Sequence, residues 1–212
     1  MYEKNDKNFH FELRQVENPI SGEKFFEARA FLHEISNNGR LEPRQVGFAN
    51  AFYSTRSQKS IHIEWAHMMP EYQRLGLSSA MATSFLSQFS HVKKVSVELA
   101  MDNTILFLTN LMRSIESSKE LRESLEQVLS LHTRSRLLLE DKLTELYVNH
   151  FSVLLNSLTS FKRDSLIRNA IQRTPFFQVL AQNGFIKVGK YKQVLHTENQ
   201  DPRLIVEVEL LR

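Results

Sequence analysis

Alternating hydrophobic and polar residues mark the first third of the chain as strands. Phe9 to Val16 alternates, Phe25 to Ile35 carries apolar residues at every second position, and Gln45 to Tyr53 and Ile61 to Met69 follow after short polar breaks. The segment Asn37-Asn38-Gly39 is a strong turn signal. Four strands joined by short connections predict an antiparallel meander.

The pattern then changes from strands alone to helices and strands. Gly76 to Phe89 has apolar residues near helical spacing, and Val92 to Ala100 alternates again. A strand, a helix and a further strand in this order predict a parallel crossover. Near the end we expect a helix over Phe176 to Gln182 and two strands, over Phe185 to Leu195 and Leu204 to Leu211.

The segment from Thr104 to Arg173 contains neither glycine nor proline, and good helix formers dominate it. From Leu139 to Leu158 its apolar residues recur at intervals of three and four, which predicts a wide apolar stripe. We expect two or more helices whose stripe is buried within the chain. A homodimer formed through this insertion is the alternative way to bury the stripe.

These patterns predict one α+β (α/β) domain over residues 1–212. Its core is a mixed, mostly antiparallel central sheet of about seven strands flanked by helices, with a helical insertion at residues 104–173 after the fifth strand. Only 6 glycines and 5 prolines in 212 residues disfavour a turn-dense all-β fold. The absence of cysteine excludes disulfides and thiol catalysis.

Charge and hydropathy argue against nucleic-acid and membrane partners. The 27 Lys and Arg against 24 Asp and Glu give a net charge of +3, with the two signs interspersed. A nucleic-acid surface needs a basic stripe, so we expect no nucleic-acid partner. No apolar run reaches about 18 residues, and the polar N-terminus lacks the apolar core of a secretory signal. We therefore expect a cytoplasmic protein without a membrane span.

One segment combines the features of a phosphate site. A strand ends at Met68 and Met69, and the loop from Gln73 to Ser78 leads into a helix. The free N–H groups and the dipole of a helix N-terminus favour an anion, Gly76 allows close approach, and Arg74 adds positive charge. The candidate ligand-binding residues are Met68, Met69, Gln73, Arg74, Leu75, Gly76, Leu77, Ser78 and Ser79.

The string Pro70-Glu71-Tyr72-Gln73-Arg74-Leu75-Gly76-Leu77-Ser78 resembles the acyl-coenzyme A binding motif of the GCN5-related N-acetyltransferase (GNAT) superfamily, with Ser78 in place of the last small residue. Val95 to Asn103 is similar to the family's next strand, ending at its asparagine. Ala181 to Gly189 is similar to its closing helix-Gly-Phe-strand element.

The resemblance implies a GNAT-like fold, with acetyl-coenzyme A or another acyl-coenzyme A as co-substrate and Asn103 among its contacts. It also implies direct transfer of the acyl group to a primary amine of a small molecule or peptide, in a ternary complex. The second and third readings of function are a long-chain N-acyl amino acid or acyl-homoserine-lactone-type synthase using acyl carrier protein or acyl-coenzyme A, and a catalytically degenerate coenzyme A binding protein.

Two departures from the family pattern bear on function. The link from Asn18 to Glu23 is too short for the two helices that the family has there, so we expect the helical insertion to form the acceptor side. The family's tyrosine that protonates the leaving thiolate stands four residues before the Gly-Phe pair, where this chain has Leu180. Tyr147 or Tyr191 could replace it as the catalytic acid.

The strand before the motif supplies a candidate base. Glu64 lies where family members often carry a glutamate base, and on a regular strand it shares parity with His62 and Met68. A solvent-facing strand carboxylate is the alternative reading. Unless a bulge intervenes, His62 and His67 point to opposite faces, so we expect no metal site.

Overall fold

The computed structural model describes residues 9–17, 24–35, 37–53, 59–69, 72, 77–99, 102–115, 119–130, 136–198 and 201–212. Its strands are β1 (Phe9–Glu17), β2 (Lys24–Ile35), β3 (Leu41–Tyr53), β4 (Ser60–Met68), β5 (Lys94–Leu99), β6 (Lys187–Glu198) and β7 (Asp201–Leu211). Its helices are α1 (Leu77–Ser87), α2 (Asp102–Ser114), α3 (Lys119–Ser130), α4 (Arg136–Leu146), α5 (Ser152–Ser157), α6 (Ser160–Gln172) and α7 (Pro175–Gln182), with a π-helical turn at Tyr147–Phe151.

The strands form a seven-stranded sheet in the order β1-β2-β3-β4-β5-β7-β6. β1 to β4 pair antiparallel as a meander, and β4 pairs parallel with β5 after the crossover through α1. Helices α2 to α6 lie between β5 and α7 in the chain. The predicted mixed sheet, parallel crossover and helical insertion are thereby confirmed.

Two boundaries differ from the sequence prediction. β3 begins at Leu41 rather than at the predicted Gln45. The sequence pattern missed this start because residues 41–45 are all exposed, so their hydrophobicity does not alternate. α1 ends at Ser87, although the apolar period continues to Phe89. Phe89 is buried from a turn, where its N–H donates to the Leu86 carbonyl, 3.0 Å away.

The chain divides into two compact units. The first comprises Met1–Val97, Gln182–Phe185 and Leu211–Arg212, and the second comprises Glu98–Ala181 and Ile186–Leu210. The predicted boundaries of a single domain over residues 1–212 stay a prediction.

The first unit packs α1 on one face of the meander. Small side chains on β2 and β3 leave room on this face for the aromatic rings of α1 and of the turn that follows it, because protein interiors are close-packed. Phe26 meets Phe89 edge-on at a ring-centroid distance of 4.8 Å. The buried alanines of this face are Ala28, Ala30, Ala49 and Ala51.

The second unit buries the stripe predicted for the insertion. α2 packs against α4 and α6, and α3 packs against α4. Residues of the stripe that lie in the core are Leu139, Leu143, Leu146, Tyr147, Phe151 and Leu155. This confirms the predicted intramolecular burial, and the homodimer stays a prediction. No helix in the described part of the chain is long and apolar enough to cross a membrane.

Candidate active site

β4 keeps its antiparallel partner to its end but loses its parallel partner halfway. Its pairs with β5 run from Ser60 to Ile63, whereas its pairs with β3 continue to Met68. Among the described residues, no pair with β5 is formed by Glu64 to His67 of β4. Because buried backbone N–H and C=O groups require partners, this edge offers hydrogen bonds to an extended ligand.

Glu64 is an extra residue in β4. Asn50 pairs with Trp65 and Ala51 pairs with Ile63, so no β3 residue stands opposite Glu64. A β-bulge of this kind bends the strand and interrupts the alternation of faces. The bulge lies directly beyond the last pair with β5.

The bulge overturns the parity argument made from the sequence. The prediction that His62 and Met68 share a face is wrong, because one additional residue stands between them. His62 and His67, expected on opposite faces, occupy positions of equal parity opposite Phe52 and Phe48. No group of three or more metal-ligating side chains occurs among the described ones, which do not include His67. The absence of a metal stays a prediction.

The start of the candidate loop is tied to β2 and β3. The N–H of Met69 donates to the Val46 carbonyl at 2.9 Å, and the N–H of Tyr72 donates to the Met69 carbonyl at 2.9 Å. The Tyr72 hydroxyl donates to Glu34 Oε1 at 2.9 Å, and Arg44 Nη1 lies 3.6 Å from Glu34 Oε2. Met69, a candidate binder, thus uses its N–H within the protein.

The helix that follows the loop is tied to the end of α7. Leu77 begins α1 and is buried, and the hydroxyl of Ser79, another candidate binder, donates to Gln182 Oε1 at 3.2 Å. Asn183 Nδ2 donates to Thr83 Oγ1, also at 3.2 Å. The predicted binders Gln73, Arg74, Leu75 and Gly76 lie outside the described residues, as does the side chain of Ser78.

Asn103 lies in the first turn of α2. The prediction that it ends the strand is wrong, since β5 stops at Leu99. The buried hydroxyl of Thr104 donates to the Leu99 carbonyl at 2.8 Å and fixes the turn out of the strand. Asn103 Oδ1 accepts from the N–H of Phe176 at 3.4 Å, which holds the first turn of α7.

Tyr147 is a buried residue of the second unit. It begins the π-helical turn, and its hydroxyl donates to Gln193 Oε1 at 3.1 Å. Burial raises the pKa of Tyr147, and the charge of Arg163 opposes part of that rise. The other polar atom of this amide, Gln193 Nε2, is buried without a hydrogen-bond partner in the described part of the chain.

Tyr191 is engaged by a neighbouring carboxylate, also within the second unit. Its hydroxyl donates to Asp164 Oδ1 at 2.8 Å, and Arg168 Nε donates to Asp164 Oδ2 at 2.7 Å. Burial and then this hydrogen bond raise the pKa of Tyr191 to about 12. The hydrogen bond from Arg168 is the main cause that lowers the pKa of Asp164. Leu180, at the family's tyrosine position, is buried.

Sequence reasoning missed a polar row on the face of the meander opposite α1. Arg14 pairs with Glu27, Glu27 pairs with Asn50, and Asn50 pairs with Trp65 beside the bulge. Arg29 flanks Glu27. The available signal was the polar set of β2, Glu27 and Arg29, which alternates with its buried alanines.

Comparison with known proteins gives structural likenesses only. No protein-family model and no curated protein matches the chain. NAA60 of Arabidopsis thaliana in complex with a bisubstrate analogue is similar at 8% identity and a TM-score of 0.44, over 96% of this chain and 99% of that one. A Bacillus subtilis acetyltransferase in complex with CoA is similar at 9% identity and a TM-score of 0.39, over 96% and 99%. A spermidine N-acetyltransferase SpeG chimera from Vibrio cholerae and hSSAT is similar at 8% identity and a TM-score of 0.38, over 88% of this chain and 68% of that one.

Proposed function

We propose that this chain is an N-acyltransferase that transfers the acetyl group of acetyl-coenzyme A to a primary amine of a small molecule or peptide. The observation that supports the proposal is the end of the pairing between β4 and β5 after Ile63, in the strand that precedes the motif at Gln73 to Ser78 in the sequence. An extended thioester arm suits the unpaired strand edge. A pyrophosphate suits a helix N-terminus with Gly76 and Arg74 beside it.

Glu64 is the proposed base. An amine attacks the thioester carbonyl only when neutral, so a carboxylate that accepts its proton, directly or through water, raises the rate. Support comes from the bulge, since an extra strand residue re-aims a side chain and such bulges occur next to active sites. N–H groups of Glu64 to His67 that point away from β3 would stabilise the oxyanion that forms at the carbonyl.

Tyr147 is the proposed acid for the leaving thiolate, ahead of Tyr191. Both hydroxyls donate within the protein, Tyr147 to Gln193 and Tyr191 to Asp164, but the partner of Tyr191 is a charged carboxylate, which holds the hydroxyl proton more strongly and contributes to a pKa of about 12. Tyr147→Phe should therefore slow transfer more than Tyr191→Phe. Comparable loss in both variants would remove this assignment.

The experiment is an acceptor screen with acetyl-coenzyme A in which a thiol reagent measures free coenzyme A. Amino acids, polyamines and short peptides serve as acceptors, and mass spectrometry identifies the acetylated product. We expect amine-dependent thiol release and a product heavier by one acetyl group. Coenzyme A binding without turnover of any acyl thioester would instead identify a non-catalytic binding protein.

Acyl chain length and oligomeric state are tested in the same preparation. Octanoyl-coenzyme A should turn over more slowly than acetyl-coenzyme A, and faster turnover would favour a long-chain synthase.

Sedimentation velocity checks the homodimer proposed through the insertion, at residues 104–173.

A further inference from the structure

The polar row on the open face of the meander leads straight to the β4 bulge. Arg14, Glu27, Asn50 and Trp65 occupy directly opposed positions on β1, β2, β3 and β4. Directly opposed residues of antiparallel strands share a face of the sheet. With strands about 4.8 Å apart, Glu27 lies two spacings, about 10 Å, from β4.

Two guanidinium groups hold the one carboxylate in this row. Arg14 Nε lies 3.1 Å from Glu27 Oε2, and Arg29 Nε lies 2.9 Å from the same oxygen. Arg29 Nη2 donates to Glu27 Oε1 at 3.1 Å. Glu27 is only 15% exposed, whereas the side chains of Arg14 and Arg29 are 45% and 33% exposed. The carboxylate is therefore enclosed and the guanidinium groups reach solvent.

Among the described residues, both arginines have N–H groups beyond those that face Glu27. A guanidinium carries five N–H bonds, and within the described residues Glu27 is the partner of each arginine. Glu12, which stands opposite Arg29 in the register, contacts His10 at 3.4 Å instead. Since Arg29 Nη2 donates to Glu27, the donors left for a bound carboxylate are Arg29 Nη1 and the two terminal nitrogens of Arg14, which form the planar fork that binds carboxylates in a bidentate manner.

Asn50 supplies an unmet acceptor between the arginines and the bulge. Its Oδ1 atom is buried and has no hydrogen-bond donor in the described part of the chain. Buried amide oxygens in native proteins are nearly always paired, so an orphaned one points to a missing donor. An N–H group of a bound molecule would be such a donor.

We propose that this row is an acceptor subsite that selects a peptide with an acidic residue about three positions from its reactive amine. The inference rests on the proposed function, since the reactive amine is assigned to the bulge at Glu64. A peptide advances about 3.3 Å per residue, so three residues bridge the distance of about 10 Å from β4 to Glu27. The acidic side chain binds Arg14 and Arg29, and a peptide N–H donates to Asn50.

Binding of two matched peptides to the full chain, in the presence of coenzyme A, tests the subsite by calorimetry. Both are pentapeptide amides with a free N-terminus, one with aspartate and one with asparagine at the fourth position, three residues from the amine-bearing one. We expect the aspartate peptide to bind about tenfold more tightly, as befits hydrogen bonds to a charged group. Arg14→Gln and Arg29→Gln should each reduce this ratio, and the double variant should bring it to about one.

Three further variants separate recognition from structure. Arg14→Lys keeps the positive charge and should retain part of the preference. Asn50→Ala should weaken both peptides by a similar factor and leave their ratio unchanged. Arg40→Gln, which removes an exposed charge from the β2–β3 turn, is the matched control and should alter neither affinity.

Equal affinities of the two peptides for the parent protein, or binding of neither, would overturn the subsite. Acetyl-coenzyme A binding and thiol release in the same preparations report on the proposed function separately. Turnover without a preference for the aspartate peptide would exclude the subsite and leave the proposed acyltransferase function intact. A preference that Arg14→Gln abolishes, without any turnover, supports the subsite and removes the acyltransferase.

Discussion

Ile63 and Val97 form the last pair between β4 and β5 among the described residues, and β4 continues beyond that pair to Met68. The other edge of β4 stays paired with β3 as far as Gly47 and Met68. The pairing of β4 is therefore one-sided beyond Ile63. The proposed thioester site depends on this one-sided separation.

Gly76→Val should abolish binding of acetyl-coenzyme A. A side chain at the loop glycine would occupy the space in which a pyrophosphate approaches the backbone. Calorimetry measures the affinity, and circular dichroism should show unchanged secondary structure. Gly39→Asn is the control, because Gly39 lies in the β2–β3 turn at φ +76°, a conformation that asparagine tolerates, with no atom within 4 Å of the position that a Cβ would take. Unchanged affinity in Gly76→Val would remove the loop from the site.

Glu64→Gln should lower the transfer rate at neutral pH by about 10²-fold or more, the usual range for a lost general base. The deficit should shrink as pH rises, because an alkylamine with a pKa of about 10.4 then deprotonates unaided. A pH profile of kcat/KM from pH 6 to 10 measures both effects. Glu42→Gln alters an exposed carboxylate on β3 and should leave the profile unchanged. Superimposable profiles for Glu64→Gln and parent would exclude this base.

Asp164→Asn should lower the thermal midpoint at pH 7. The folded-state pKa of Asp164 is depressed, so its contribution is present above the unfolded value of about 3.9 and is lost as pH falls through the folded pKa. The difference from parent should therefore close in acid. Calorimetric scans between pH 2 and 8 follow it. Asp141→Asn, at an exposed position of α4, serves for comparison. An equal difference in thermal midpoint between Asp164→Asn and parent at pH 2 and pH 7 would contradict a stabilising role for the Asp164 charge.

The raised pKa of Tyr191 makes its contribution to stability depend on pH in the opposite direction to that of Asp164. Its folded pKa of about 12 lies above the ordinary value, so the stabilisation is complete below about pH 10 and is lost as pH rises through 12. In ultraviolet titration the ionisation step that Tyr191→Phe removes from the parent curve should occur at lower pH in Asp164→Asn. The same titration curve in both proteins would mean that Asp164 does not hold this hydroxyl.

Gly184→Ala should destabilise the fold by about 1–2 kcal/mol, the cost of a left-handed conformation for a residue with a Cβ atom. Gly184 has φ +90°, and an added Cβ would stand 3.4 Å from Arg212 Nε. Urea unfolding measures the loss. Gly184→Asn should lose less, because asparagine tolerates this conformation better. Full stability of Gly184→Ala would show that the backbone after α7 adopts another conformation at no cost in free energy.

The fold was predictable where burial alternates or recurs at helical spacing. Ala28 and Ala30 on β2, and Leu139 and Leu143 on α4, are buried as their periods predict. The bulge was not predictable, because Glu64 has no compositional mark that distinguishes an extra strand residue from an ordinary one. Parity reasoning therefore failed for every residue that follows it in β4.

Parts of the site depend on partners remote in the sequence. Tyr147 meets Gln193 from 46 residues away, and Tyr191 meets Asp164 from 27 residues away. Local pattern carries no information on such pairs, so the sequence named the tyrosines without their hydrogen bonds. The loop from Gln73 to Gly76 was named by its motif alone, and those residues lie outside the described ones.

The extra residue in β4 also governs how this strand compares with strands of other proteins. An ungapped alignment that matches Ser60 to Ile63 with an unbulged strand assigns Trp65 to Met68 to the wrong sides of the sheet, and a single gap at Glu64 restores both halves. Deleting Glu64 would for the same reason remove the bulge and keep Trp65 to Met68 opposite the same residues of β3. A change of length at Glu64 therefore alters the bulge, whereas a substitution there keeps the number of residues in the strand.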